Sequence, residues 1–81
     1  MSKKEKLISR FKTQPNDFSW DELTLLLTYF GFAEVSKGKT AGSRRAFVNE
    51  RTRQIIRLHK PHPEKVLKQY QIKEIKEVLG L

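Results

Sequence analysis

Apolar positions along the chain recur first at helical, then at alternating, then again at helical intervals. Leu7, Ile8 and Phe11 share one helical face, and Ser2-Lys3-Lys4-Glu5 before them has capping-box spacing. A helix over about residues 2–12 is predicted, closed before Pro15. Asn16-Asp17-Phe18 reads as a turn. Trp20, Leu23, Leu26, Leu27 and Phe30 form a broader stripe, headed by a second box, Ser19-Trp20-Asp21-Glu22, and stopped by Gly31. The acids Asp21 and Glu22 also suit the positive end of the helix dipole. A second helix over about 20–30 follows.

The pattern then changes. Phe32-Ala33-Glu34-Val35-Ser36, Ser43-Arg44-Arg45-Ala46-Phe47-Val48 and Gln54-Ile55-Ile56-Arg57-Leu58-His59 read as strands, the last rich in β-branched residues. Short links make an antiparallel meander the economical arrangement. Alternation puts Phe47, Ile56 and Leu58 on one face and Arg44, Ala46, Val48, Ile55, Arg57 and His59 on the other. Lys60-Pro61-His62-Pro63 interrupts regular structure. After Val66, Leu67 and Tyr70, the spacing of Ile72, Ile75, Val78 and Leu79 predicts a third helix over about 71–79, ended by Gly80. The fold class is α+β in the order ααβββα, a three-stranded antiparallel sheet with helices on one face.

Charge adds a location. Between Lys37 and Lys60 lie eight basic residues (Lys37, Lys39, Arg44, Arg45, Arg51, Arg53, Arg57, Lys60) and one acid, Glu50, so this segment carries +7 of the net +8. Charge so concentrated implies a positive face and a polyanionic partner. With 81 residues the chain is one domain with a small core. It has no cysteine for disulfides or thiolate ligands, and no apolar run long enough to span a membrane. The charged N-terminus lacks the apolar stretch of a signal peptide. A soluble, cytoplasmic protein without metal or other cofactor is expected, its two histidines and scattered carboxylates offering little for a metal site.

Arginines and lysines on a sheet and its adjoining turn can neutralise phosphates and release counterions. Gly38 and Gly42 allow close backbone approach, and Ser43 can donate to a phosphate oxygen. A sheet backed by helices is also how double-stranded-RNA-binding folds present a surface. The same charge would suit solubility or a surface for an acidic protein.

Four stretches taken together resemble the HicA toxins of bacterial type II toxin–antitoxin systems. They are Leu25-Leu26-Leu27-Thr28-Tyr29-Phe30-Gly31-Phe32, Gly42-Ser43-Arg44-Arg45-Ala46-Phe47, Leu58-His59-Lys60-Pro61-His62-Pro63-Glu64-Lys65, and Ile72 to Leu81 with its final Gly80-Leu81. The resemblance covers residues 19–81 and leaves 1–18 as an N-terminal helical extension. It implies a fold similar to the double-stranded-RNA-binding domain, metal-independent cleavage of mRNA, and a HicB-like antitoxin partner covering the active face. Gly42 and Ser43 match the family's active-site motif. At the next position, where the family has its catalytic histidine, this chain has Arg44.

That departure divides binding from chemistry. Cleavage needs a base to take the 2′-OH proton, and arginine stays protonated. Arg44 can instead grip a phosphate with a bidentate fork or stabilise charge on a transferring phosphoryl group. His59, on the same predicted face, and His62, between prolines, carry imidazoles suited to proton transfer near neutrality. The candidate RNA-facing residues are Lys39, Gly42, Ser43, Arg44, Arg45, Arg57 and Lys60, with His59 and Arg44 as catalytic candidates. Two readings stay open: an endoribonuclease toxin, and a non-catalytic module that binds nucleic acid or an antitoxin.

Overall fold

In the computed structural model, which describes residues 2–35, 44–61 and 65–81 (Arg44 by its backbone), Ser2 starts the first helix. Its Oγ accepts the Glu5 N–H at 3.2 Å, and α1 runs Lys3–Lys12. The α2 helix, Trp20–Tyr29, begins with a reciprocal box. Ser19 Oγ accepts the Glu22 N–H at 3.1 Å, and Glu22 Oε1 accepts the Ser19 N–H at 3.0 Å. Its end is closed by Gly31 at φ +88°, a conformation that disfavours a side chain.

The next residue corrects the sequence expectation. Phe32 does not belong to the first strand; its N–H donates to Leu27 O at 2.8 Å and its ring is buried. Strand β1 therefore starts one residue later than expected and is described over Ala33–Val35, Ser36 lying outside the described residues. β2, Arg44–Asn49, lies between β1 and β3, Gln54–His59, in an antiparallel sheet of order β1-β2-β3. The register pairs Val48 with Ala33 and Ile55, Phe47 with Glu34 and Ile56, and Ala46 with Val35 and Arg57. The turn between β2 and β3 is built on buried Asn49. Its Oδ1 accepts the N–H groups of Arg51 (3.0 Å) and Thr52 (3.2 Å), while its Nδ2 donates to Phe30 O at 3.0 Å. One amide thus joins the hairpin to the end of α2.

Helix α3 runs Gln69–Leu79, two residues earlier than its apolar spacing predicts. Gln69 and Tyr70 are exposed, so the first turn carries no hydrophobic signal. Gly80, at φ +73°, ends it with the Leu81 N–H on Lys76 O at 3.0 Å. Before α3, residues 65–67 lie antiparallel to residues 18–20: Trp20 N–H donates to Lys65 O (2.9 Å) and Leu67 N–H to Phe18 O (2.8 Å).

The core gathers Phe11, Phe18, Trp20, Leu23, Leu26, Leu27, Phe32, Phe47, Ile56, Leu67, Ile72 and Ile75. Helix α1 is part of it. Phe11 and Phe18 are both fully buried, their rings edge to face at 5.0 Å. Arg10 adds a polar clamp: Nε bonds Glu22 Oε2 at 2.9 Å and Nη2 bonds Asp17 Oδ1 at 3.0 Å. Gln69 Nε2 ties α3 to the same linker through Gln14 O (3.1 Å), Pro15 O (3.1 Å) and Asn16 Oδ1 (3.0 Å). Helices α2 and α3 pack on β1 and β3, covering the Phe47–Ile56 face. The architecture is the α+β fold, ααβββα, that the pattern predicts, with the helices on one face of the sheet.

Candidate nucleic-acid interface

The register of the sheet sorts the basic residues by face. On the face away from the helices, successive rows read Ala33, Val48, Ile55; then Val35, Ala46, Arg57; then the Arg44–His59 pair, Cα partners where β2 begins and β3 ends. Directly opposed residues in an antiparallel pair lie about 4.5–5.5 Å apart at Cα. Arg57 and His59 are exposed. This face therefore grades from aliphatic to basic along the strands.

Arg45 is elsewhere. It opposes Leu58, one step out of phase with Arg57, so it falls on the helix-covered face. There its Nε lies 3.3 Å from Glu34 Oε2, bridging β1 and β2. The adjacent arginines do not act from one face, because the strand period of two separates them. Lys60 departs in the same way. It is half-buried on the core side of the strand's end, with Nζ 6.0 Å from the centroid of the buried Trp20 ring. A cation over an indole face is favoured by about 0.5–1 kcal/mol or more. The Trp20 ring itself packs against Phe47 at 5.7 Å, as a core residue.

Lys37, Gly38, Lys39, Gly42, Ser43 and His62 lie outside the described residues. Of the sequence-predicted site, Arg57 and His59 are the described residues on the open face, with the Arg44 backbone in register beside them, while Arg45 and Lys60 lie on the other side.

Gln71 is a residue that sequence reasoning passed over. It is buried on α3, its Nε2 donates to His59 O at 2.9 Å, and its Oε1 accepts the Lys68 N–H at 3.0 Å. A single amide thereby fixes the last residue of β3 against the start of α3. Its signal in the chain is a polar residue inside the apolar spacing of Leu67, Ile72 and Ile75.

Among the described residues no group of three histidine, cysteine or acidic side chains gathers as a metal site, and no helix is long and apolar enough to cross a membrane. The described polar side chains on the open face are the Arg57 guanidinium and the His59 imidazole, groups that can bind a phosphate and move a proton.

Comparison with curated proteins and with solved structures gave no significant match in either case. Comparison with family models matched residues 20–81 to the HicA toxin of bacterial toxin–antitoxin systems. That span starts at the first residue of α2 and takes in the whole sheet and α3, so the chain belongs to the HicA toxin family.

Proposed function

We propose that this toxin acts on RNA, and that the RNA meets the basic end of the open sheet face, where Arg57, His59 and the motif-position Arg44 come together. The observation that carries this reading is the Arg44–His59 register pair. It sets the position at which the family has its histidine directly across from a histidine on the neighbouring strand. Arg57, one row further on, adds a second cation to the same end. Lys39, Gly42 and Ser43, next to Arg44 in sequence, extend the phosphate-binding stretch. Arg45 and Lys60 serve it from the other face, Arg45 by holding β2 to β1 and Lys60 by closing the end of β3 over Trp20.

The chemistry follows from the residue types. His59, as the neutral imidazole, takes the proton of a ribose 2′-OH while O2′ bonds to phosphorus. The P–O5′ bond breaks, and the proton passes to O5′, leaving a 2′,3′-cyclic phosphate and a 5′-hydroxyl. Arg44 and Arg57 hold the phosphate and offset the charge that grows on its oxygens. No metal enters this scheme. The toxin would work in the cytoplasm, where mRNA is, and be neutralised there by a HicB-like antitoxin. Incubating the purified protein with a labelled mRNA fragment in EDTA tests the cleavage. Wild type should cut, and His59→Gln should cut about a hundredfold or more slowly while still binding. An intact RNA after incubation with wild type would remove the ribonuclease assignment.

One feature favours a second reading. The resemblance puts Arg44 where the family has its histidine, and an arginine cannot serve as a base. Under that reading the same end grips RNA without cutting it, and His59→Gln changes nothing.

A further inference from the structure

The arginines divide by their partners. Arg10 is tied to Asp17 and Glu22, and Arg45 lies against Glu34. Arg51, Arg53 and Arg57 are exposed, and their side chains make no hydrogen bond or ion pair among the described residues. Arg57 belongs to the basic end described above. Arg51 and Arg53 stand at the opposite end of the sheet, in the turn that joins β2 to β3, and the RNA reading gives them no part.

That turn is held in shape by its own hydrogen bonds. Asn49 Oδ1 accepts the N–H groups of Arg51 and Thr52, and the Arg53 N–H donates to Asn49 O at 2.7 Å. The Thr52 hydroxyl donates to Gln54 Oε1 at 2.9 Å. Arg53 sits at φ +61°, a left-handed conformation that glycine or asparagine adopts at less cost. A long cation thus occupies a position where the backbone alone favours a small residue. Glu50, exposed in the same turn, pairs with neither arginine.

From the Arg44–His59 pair to the Asn49–Gln54 pair is five residues along the strands, about 17 Å at the rise of an antiparallel strand. Between them the row Ala33, Val48, Ile55 has no side-chain donor. An RNA on this sheet also finds no ring to stack on. The phenylalanines, Trp20 and Tyr29 are buried or half-buried, and the exposed Tyr70 belongs to α3, behind the sheet. Its hold comes from phosphates instead. We infer that Arg51 and Arg53 form a second phosphate-binding point, so that one RNA is gripped at both ends of the sheet. This inference rests on the RNA reading and extends it from one basic end to a two-point contact that measures backbone spacing, not base sequence.

The test measures affinity for a labelled mRNA fragment across salt concentrations, with the full chain as wild type, Arg57→Ala, the double variant Arg51→Gln/Arg53→Asn and the double variant Lys3→Ala/Lys4→Ala. Asparagine tolerates the left-handed backbone at position 53, and Arg51→Gln alone, at an ordinary φ, repeats the test without touching that position. The two lysines, exposed on α1, control for losing two positive charges anywhere on the surface. The turn variant is expected to bind more weakly, with a slope of log affinity against log salt reduced by about 1.4–1.8, and Arg51→Gln by about half of that. Combined with Arg57→Ala, the reductions should add. Affinity should rise with RNA length until the chain reaches both ends, and the turn variant should lack the last part of that rise. Wild-type slope in the turn variant and in Arg51→Gln, or an equal reduction in the lysine control, overturns the second point while an effect of Arg57→Ala leaves the RNA reading standing. Wild-type protein without affinity for RNA overturns both.

Discussion

Gln71 Nε2 donates to the carbonyl oxygen of His59 at 2.9 Å, from a side chain that is almost wholly buried. The other end of the same amide accepts the Lys68 N–H, so α3 and the last residue of β3 are positioned by one group. Replacing it with leucine keeps the bulk and leaves a backbone acceptor and a backbone donor without this partner. Gln71→Leu is expected to cost about 1–3 kcal/mol in chemical denaturation. It should also raise amide hydrogen exchange at the end of β3 and the start of α3 more than in α1. Equal exchange changes in all three would show that the amide does not act locally.

Helix α1 precedes the span that matches the family, yet Phe11 is as buried as any residue of that span. Its ring fills the space beside Phe18, and removing it opens a large cavity. Phe11→Ala is expected to lower stability by about 3–5 kcal/mol in urea unfolding. A loss below about 1 kcal/mol would mean that α1 is an appendage and not part of the core.

Much of this was legible from the chain. The stripe Trp20, Leu23, Leu26, Leu27 sits between two strong signals, a capping box and a glycine, and α2 forms there. The strands β2 and β3 follow their alternation, and with it the outward position of Arg57 and His59. What was illegible has physical causes. Phe32 looks like strand, but the end of α2 needed its N–H. Gln69 and Tyr70 begin α3 from the solvent side, where no hydrophobic period can register. Arg45 and Lys60 count as positive charge in a sum, whereas a strand sends neighbours to opposite faces, so the summed charge overstated the one usable face. Gln71 and Asn49 act through single amides whose partners lie far along the chain, at His59 and Phe30, and such pairings leave no local pattern.

The Arg10–Glu22 pair makes stability depend on pH. The hydrogen bond from Arg10, helped by the Ser19 N–H, holds the Glu22 carboxyl below its ordinary value despite partial desolvation. A carboxyl depressed in the folded state favours folding above its unfolded value, near 4.5. That contribution is lost as pH falls through the lower folded value. Wild type is therefore expected to melt higher than Glu22→Gln near neutrality, with the gap closing in acid below about pH 4. A gap that stays constant down to the acid limit would show that the charge of Glu22 plays no part in it.

If RNA meets the basic end of the open sheet face, the salt dependence of RNA binding shows it most directly. Affinity for a labelled mRNA fragment is measured across salt concentrations for wild type, Arg57→Ala and Lys73→Ala, the last removing an exposed cation from α3. Loss of one phosphate contact should reduce the slope of log affinity against log salt by about 0.7–0.9. Arg57→Ala is predicted to show that reduction together with weaker binding, and Lys73→Ala to behave as wild type. Wild-type slope and affinity in Arg57→Ala, or the same loss in Lys73→Ala, would contradict the placement of RNA on this face.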